Sequence, residues 1–155
     1  GKEIITATSS WLVLDLSTKR IQRLRKDGNF APYQPSILGK DAGKTESPQT
    51  SEELSYSPVL YGEIDINQHF NTGKYLDRIN NSYSFDFHQQ HILREMEVNF
   101  LKEGLPHDLL AVKKQELTPL DHLCSIVRKG DSNDLIRARI NWEEKPKKPM
   151  YAKIH

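Results

Sequence analysis

One sequence feature limits most strongly the folds that this chain can adopt. It is a single helical pattern of apolar residues, followed directly by four strand-like segments. Four apolar side chains recur three or four residues apart, as on one face of an α-helix: Leu76, Ile79, Tyr83 and Phe87. Asn71 is a good amino-terminal cap for this helix, because its side chain can accept hydrogen bonds from first-turn amides. The pattern predicts one helix from Asn71 to about His91.

The segments after the helix are typical of β-strands. They cover residues 96–100, 109–115, 123–128 and 135–142. Turn-forming sequences separate them. The last segment alternates, so that four apolar side chains share one face: Ile136, Ala138, Ile140 and Trp142. A further short strand is expected at residues 59–61. One helix followed by sequential antiparallel strands predicts an α+β fold and excludes a βαβ repeat.

The first third of the chain has a different character. Residues 4–16 are rich in β-forming side chains and predict a strand. Residues 26–58 contain many Gly, Pro, Ser and Thr without a sustained period, which favours a linker. A structureless loop of this length inside one compact domain is uncommon, so we interpret it as a join between two domains. We expect a strand segment at 1–25, the linker at 26–58 and a domain at 59–155.

Charge and cysteine usage exclude several classes of protein. The net charge of +1 argues against nucleic-acid binding through a general basic field, which requires many phosphates to be neutralised. Cys124 is the only cysteine, so no internal disulfide can form and a reducing, cytoplasmic location is expected. No apolar run approaches the length of a membrane span, and the first residues do not resemble a signal or transit peptide.

A group of polar residues directly precedes the predicted helix. Residues 63–76 read EIDINQHFNTGKYL. This segment resembles the D-x-N-x-H-x-N-x-x-K-Y motif of plant and bacterial acyl-acyl-carrier-protein thioesterases, and every specified position of the motif is matched without a gap. Upstream, residues 7–24 read ATSSWLVLDLSTKRIQRL. They are similar to the A-x-S-x-W-x-x-x-x-x-x-T-R-R segment of the same family, with Lys19 and Arg20 in place of the arginine pair.

The resemblance covers nearly the whole chain and implies a hot-dog fold, in which a long central helix is wrapped by a curved antiparallel sheet. Members of the family carry two tandem hot-dog domains. By this resemblance, residues 1–25 hold the last strand of a first domain that is mostly absent from the sequence, and 59–155 form the second. An unpaired strand is prone to aggregation, so we expect it to pair with another hot-dog domain or a second chain.

The chemistry of thioester hydrolysis suits this loop. The reaction needs a positioned water, a base that removes its proton, and donors directed at the oxygen that becomes negative. Asp65, Asn67 and His69 occupy alternate positions, which places their side chains on the same side of an extended loop. The first-turn amides of a helix carry partial positive charge. The backbone near Asn71 and Thr72 is therefore the candidate oxyanion hole.

The resemblance further implies an acidic or sulfur-bearing residue on the strand after the helix, within an R-R-E-C-like segment of plant members. The corresponding residues 100–104 contain Glu103 and no cysteine. We expect Glu103 to be the base acting on water, with His69 assisting, Asp65 fixing the loop and Asn67 orienting the thioester or the water. Cys124 lies on a later strand, which argues against a covalent thiol mechanism.

Substrate contacts are expected from Asn71, Thr72 and Tyr75, and no cofactor or metal is expected. His88 and His91 are three residues apart near the end of the helix, but no third ligand lies close to them in the sequence.

The predicted function is the hydrolysis of fatty acyl thioesters on an acyl carrier protein to free fatty acid by water attack. Two alternatives are open: a hot-dog acyl-coenzyme A thioesterase, and a non-catalytic acyl-binding hot-dog module. No nucleic-acid or membrane partner is expected. Two basic clusters could dock the acidic carrier protein, or could be ordinary solvated segments. They are Lys19, Arg20, Arg23, Arg25 and Lys26, and Lys145, Lys147, Lys148 and Lys153.

Overall fold

The chain forms two compact units in a computed structural model, and the division falls between Gly43 and Lys44. The structure describes residues 4–10, 13–15, 17–18, 20–22, 38–39, 43–49, 53–131 and 133–146.

The first unit contains a small hairpin. Strand β1 (Val13–Leu14) pairs antiparallel with β2 (Ile21–Gln22). One Asp15 carboxylate oxygen accepts hydrogen bonds from the amides of Ser17 (3.0 Å) and Thr18 (2.7 Å) in the turn. Hydrogen bonds from the Ser17 hydroxyl and the Thr18 amide lower the pKa of Asp15 to about 2. The carboxylate therefore stabilises the turn that joins the two strands.

The strand predicted over residues 4–16 is much shorter in the structure. Only Val13 and Leu14 form strand among the described residues of this range, and residues 4–10 have no regular secondary structure. A strand needs a neighbour for its backbone donors and acceptors, and the described part of the chain supplies no strand beside residues 4–10. Pairing with another hot-dog domain or a second chain stays a prediction.

The second unit is an α+β arrangement in which five antiparallel strands form one sheet. Its elements in chain order are β3 (Ser57–Pro58), a 3-10 turn (Tyr61–Glu63), α1 (Thr72–Asn80), α2 (Phe85–Gln90), β4 (His91–Phe100), β5 (Leu109–Thr118), β6 (Asp121–Arg128) and β7 (Asp134–Glu144). The strand order across the sheet is β3-β5-β6-β7-β4. The four long strands agree with the four predicted segments, and all of them extend further than predicted. Within the described residues, no helix combines the length and apolar character that crossing a membrane would require.

Local hydrogen bonds divide the predicted helix into α1 and α2. The Ser82 hydroxyl donates to the carbonyl of Ile79 at 2.7 Å, beside the end of α1. The Ser84 hydroxyl accepts from the amide of Phe87 at 3.1 Å and caps α2. These side chains compete with the helical backbone for hydrogen bonds, which explains why the helix does not continue through residues 81–84.

The hydrophobic core lies between α1 and one face of the sheet. On α1, Tyr75 and Ile79 are buried, and the helix contacts β6. The predicted alternation in the last strand is confirmed, because all four apolar residues of β7 are buried: Ile136, Ala138, Ile140 and Trp142. Burial of each large aliphatic side chain contributes about 1.5–3 kcal/mol. The sheet therefore fixes the position of α1, and with it the position of the loop that precedes the helix.

Part of the predicted linker lies on the other face of the sheet. The Thr45 amide donates to the side chain of Asn99 at 2.6 Å, and the Gln49 amide donates to the side chain of Gln115 at 2.7 Å. Asn99 alternates along β4 with the core residue Val98, so it faces away from α1. Thr45 itself is buried. The extent of the linker, residues 26–58, stays a prediction.

A polar cluster is enclosed in the core beside the helices. The Tyr83 hydroxyl is 3.1 Å from the His122 ring and 3.4 Å from the Cys124 sulfur. The rings of Tyr83 and His122 stack with centroids 5.5 Å apart. Burial raises the pKa of the Cys124 thiol and lowers the pKa of His122. Cys124 is thus a protonated packing residue, which argues against its use as a nucleophile.

The burial of His122 predicts a pH dependence of stability. Its pKa in the folded protein lies below the ordinary value of 6.5, so the unfolded chain binds the proton first as the pH falls. The free energy of unfolding should decrease as the pH drops from above 6.5 through the folded-state pKa. In His122→Gln, which cannot be protonated, thermal unfolding midpoints should fall less over the same range. A midpoint profile parallel to that of the wild type would contradict this account.

Candidate functional site

The polar loop before α1 is a tight turn, whereas the alternation of its residues predicted an extended segment. The Asp65 amide donates to the carbonyl of His69 at 2.9 Å, and the Gln68 amide donates to the carbonyl of Asp65 at 3.0 Å. Gln68 has a positive φ of 63°, a conformation that residues other than glycine rarely adopt. Ile64 and Phe70 form a β-bridge across the base of the turn. The loop is therefore closed at its base and held by its own backbone.

The Asp65 side chain turns back onto the loop. One carboxylate oxygen accepts hydrogen bonds from the amides of Asn67 (2.8 Å) and His69 (3.2 Å). The side chain of Asn67 is exposed, and that of His69 is partly exposed. Asp65 thus stabilises the conformation that presents the other two side chains to solvent, and its part in a reaction stays a prediction.

The structure brings His69 and Glu103 together from distant parts of the sequence. The His69 Nε2 atom lies 3.5 Å from a carboxylate oxygen of Glu103. The two side chains are 39% and 62% exposed, so water reaches both of them. An imidazole beside a carboxylate at a wet surface can relay or remove a proton from a water molecule.

The backbone around Glu103 is anchored on both sides. The Glu103 carbonyl accepts a hydrogen bond from the Arg128 guanidinium at 2.6 Å. The amide of Gly104 donates to the Tyr75 hydroxyl at 2.7 Å, and the carbonyl of Gly104 accepts from the Phe70 amide at 2.8 Å. The acid therefore projects from a segment that the core and β6 hold in place.

The first turn of α1 offers fewer free amides than expected. The Asn71 side chain caps the helix by accepting from the Gly73 amide at 2.8 Å, and the Asn71 amide donates to the carbonyl of Glu63 at 2.8 Å. The backbone donor of Asn71 is thus occupied, which removes it from the expected oxyanion hole. The amide of Thr72 has no acceptor within the described part of the chain. The backbone amide of Thr72 therefore remains as the candidate donor of the oxyanion hole.

Tyr75 is a core residue. Only 4% of its surface is exposed, and its ring meets Phe70 edge to face at a centroid distance of 4.6 Å. Burial raises the pKa of its hydroxyl, which accepts from the backbone and remains protonated. The expected contact of Tyr75 with substrate stays a prediction, as do those of Asn71 and Thr72.

An ion pair that the sequence analysis missed ties α1 to the entrance of the loop. The Arg78 guanidinium donates to both carboxylate oxygens of Glu63, at 3.0 and 2.5 Å, and also to the Ser57 hydroxyl at 3.0 Å and the Pro58 carbonyl at 2.8 Å. It also lies 5.0 Å above the ring of Phe70. The hydrogen bonds from Arg78 lower the pKa of Glu63. No local pattern reveals this pair, because its partners belong to different elements.

The other candidate residues are accounted for by local contacts. A ring nitrogen of His88 is 2.9 Å from the carbonyl of Asn80, and a ring nitrogen of His91 is 3.0 Å from the carbonyl of Phe87. The structure, over its described ranges, has no group of three His, Cys, Asp or Glu residues that could hold a metal ion.

Most residues of the two basic clusters lie outside the described part of the chain. Arg20 and Lys145 are described and exposed, and the Lys145 ammonium donates to the carbonyl of His88 at 2.7 Å. Seven residues are not described: Lys19, Arg23, Arg25, Lys26, Lys147, Lys148 and Lys153.

Comparison with protein families gives one match that covers most of the second unit. Residues 45–144 match the model of the acyl-ACP thioesterase C-terminal domain. The chloroplastic palmitoyl-acyl carrier protein thioesterase of Arabidopsis thaliana is 24% identical over 162 residues, an alignment that covers 94% of this chain and 39% of the relative.

Solved structures share the fold. An acyl-ACP thioesterase from Bacteroides thetaiotaomicron superposes with a TM-score of 0.71 at 17% identity, over 84% of this chain and 53% of that one. The 12:0-ACP thioesterase of Umbellularia californica gives 0.65 at 15% identity, over 85% and 53% of the two chains. The predicted α+β hot-dog fold is confirmed. The chain spans about half the length of these structures, and less of the curated relative.

The pair of Arg78 and Glu63 predicts a measurable loss of stability on mutation. Both side chains are largely buried, so Arg78→Met leaves a carboxylate without its charged partner, although the Leu60 amide still donates to it at 2.8 Å, and should lower the free energy of unfolding by about 2 kcal/mol. The exposed pair of Lys74 and Asp77 on the same helix supplies the control, and Lys74→Met should lower the free energy of unfolding much less, because solvent screens this pair.

The same pair has a defined pH dependence. The pKa of Glu63 is lowered below 4.5, so its stabilising effect is present above that pH and is lost as the pH falls through the folded-state value. In denaturant titrations, the difference between Arg78→Met and the wild type should shrink in acid. Equal losses for Arg78→Met and Lys74→Met at neutral pH would refute the importance of the pair.

Proposed function

Because the chain belongs to the acyl-ACP thioesterase family, we propose that the protein hydrolyses fatty acyl thioesters carried on an acyl carrier protein and releases free fatty acid. The observation that supports this most directly is the contact of His69 with Glu103 at 3.5 Å, beside the amino end of α1. Water attack on a thioester requires a group that accepts the proton of the water and a donor for the developing oxyanion. The solvent-exposed imidazole-carboxylate pair supplies the first, and the free amide at the helix terminus supplies the second.

In the proposed reaction, Glu103 accepts a proton from water as the water oxygen attacks the thioester carbonyl carbon. The carbonyl oxygen becomes negative and is stabilised by the Thr72 amide together with the partial positive charge of the α1 terminus. The carbon-sulfur bond then breaks, and the carrier thiol leaves with a proton returned through His69. The products are a free fatty acid and the unloaded carrier.

Asp65 and Asn67 support this chemistry in different ways. Asp65 holds the turn through the amides of Asn67 and His69, and so keeps His69 near Glu103. Asn67 has an exposed side chain at the tip of the same turn, where it can orient the thioester or the attacking water. A covalent thiol mechanism is not proposed, because Cys124 is fully buried and protonated in the core.

Loss of the base should abolish most turnover. In the full-length protein, Glu103→Gln should lower kcat on a fatty acyl carrier substrate by about 10²–10⁴-fold, the usual contribution of a general base. Asn67→Ala should also lower kcat. Glu116→Gln, a change of an exposed glutamate on β5, is the control and should leave kcat unchanged.

These variants also test the non-catalytic alternative. A binding module would retain acyl binding and would show the same negligible turnover in the wild type, Glu103→Gln and Asn67→Ala. The remaining alternative is an acyl-coenzyme A thioesterase. It is tested by comparing the hydrolysis rates of one acyl chain bound to the carrier protein and to coenzyme A. A clear preference for coenzyme A would replace the carrier protein as the proposed substrate.

We also propose that the second unit pairs with another hot-dog domain or a second chain along β4. This strand is ten residues long and lies at the edge of the described sheet, with β7 on its inner side. Ile92 and Leu93 on β4 are 41% and 45% exposed. An edge strand of this length that carries exposed apolar side chains can pair with another strand.

A charged substitution on β4 tests the pairing. In the full-length protein, Leu93→Lys should weaken association between chains, seen by sedimentation, or lower the unfolding midpoint if the paired domain is in the same chain. Leu117→Lys on β5, at a site exposed to a similar degree (44%), is the control. Equal behaviour of the two variants would exclude pairing along β4.

A further inference from the structure

Gly104 is a buried junction between the two halves of the candidate site. Its amide donates to the Tyr75 hydroxyl at 2.7 Å, and its carbonyl accepts from the Phe70 amide at 2.8 Å. Its neighbours Glu103 and Leu105 are exposed, so the chain dips into the core at this one residue. The backbone of Gly104 therefore joins the polar loop, helix α1 and the segment that carries Glu103.

The two hydrogen bonds act next to the reacting side chains. Phe70 directly follows His69, and Gly104 directly follows Glu103. The hydrogen bond between Phe70 and Gly104 thus connects the backbone one residue after His69 to the backbone one residue after Glu103. The hydrogen bond from the Gly104 amide to the Tyr75 hydroxyl is a second contact that keeps Gly104 close to the loop.

The junction has room for glycine alone. A Cβ atom on residue 104 would lie 2.8 Å from the Phe70 Cβ and 2.9 Å from the Tyr75 hydroxyl oxygen. Neither neighbour can move aside easily, because Phe70 and Tyr75 are 3% and 4% exposed and pack edge to face. Any larger residue must push the loop and the segment after β4 apart.

We propose that Tyr75 and Gly104 are positioning residues that set the separation of His69 and Glu103, and that they act on the reaction only through this pair. The inference rests on the proposed function. It assigns Tyr75 a role in catalysis that needs no contact with substrate, since the hydroxyl is occupied by the Gly104 amide. Displacements of the order of 1 Å in a catalytic pair can cost about 10²-fold in rate, so a junction of this kind governs activity without touching the reacting atoms.

The first test removes one oxygen atom. Tyr75→Phe keeps the buried ring and deletes the acceptor of the Gly104 amide, and in the full-length protein kcat should fall about 10-fold while KM changes little. Tyr83→Phe is the matched control, a second buried tyrosine whose hydroxyl contacts His122 and Cys124. It should lower the unfolding midpoint and leave kcat unchanged.

The second test adds one methyl group. Gly104→Ala should reduce kcat more than Tyr75→Phe does, because the Cβ atom displaces both neighbours. Gly62→Ala is its control, since a Cβ atom at Gly62 meets nothing within 4 Å and its φ is not positive. Circular dichroism and unfolding midpoints identify any variant that loses activity by failing to fold, and the Tyr75→Phe result then stands alone.

A double-mutant cycle separates positioning from a general structural effect. Tyr75→Phe is measured again in Glu103→Gln, at enzyme concentrations high enough to follow the residual turnover. If Tyr75 acts through the acid, the factor of about 10 should disappear in this background, whereas independent effects multiply.

Each outcome has one meaning. A normal kcat in Tyr75→Phe, or an equal loss with and without Glu103, overturns the positioning role. A normal kcat in Glu103→Gln instead overturns the proposed mechanism itself. The two failures are therefore distinguishable.

Discussion

The packing of α1 against the sheet is the interaction on which the other features depend. A helix of nine residues is too short to be stable alone in water, so α1 exists because Tyr75 and Ile79 are buried against the strands. The same packing determines where the amino end of the helix lies. The Asn71 cap, the turn before it and the first-turn amides all take their positions from that end. A change in the core would thus reach the loop through the helix, without any contact with the polar side chains of the loop.

The candidate site combines exposed polar side chains with buried residues that contact their backbone. His69, Asn67 and Glu103 are open to solvent to different degrees, as the proposed hydrolysis requires. Tyr75 and Gly104, the residues proposed to position His69 and Glu103, are enclosed in the core. Rigid supports reduce the cost of arranging the reacting groups for each turnover, and burial is what makes the supports rigid. The Arg78 and Glu63 pair adds an anchor at the entrance of the loop.

Solvent exposure distinguishes the candidate site from the second polar cluster of the same unit. Tyr83, His122 and Cys124 include side chains that act as nucleophiles or bases in many enzymes, yet all three are buried between the helices and the sheet. Their enclosure keeps the thiol protonated and the imidazole neutral. His69 and Glu103 are also residue types that act as bases in enzymes, but they contact each other at a surface that water reaches. The difference in solvent access follows from position in the fold and not from residue type.

Local patterns in the sequence determined the strand periods, the cap at Asn71 and the polar loop, because each depends on residues that are close along the chain. The alternation of β7 predicted its buried face correctly for the same reason. The expectation of one continuous helix did not hold, since the hydroxyls of Ser82 and Ser84 bond to the backbone where apolar spacing alone would continue the helix. The tertiary structure alone decided which residues meet across the fold. The contact of His69 with Glu103 and the space that only glycine fills at residue 104 depend on how the sheet places α1, and no spacing of residues along the chain encodes that geometry.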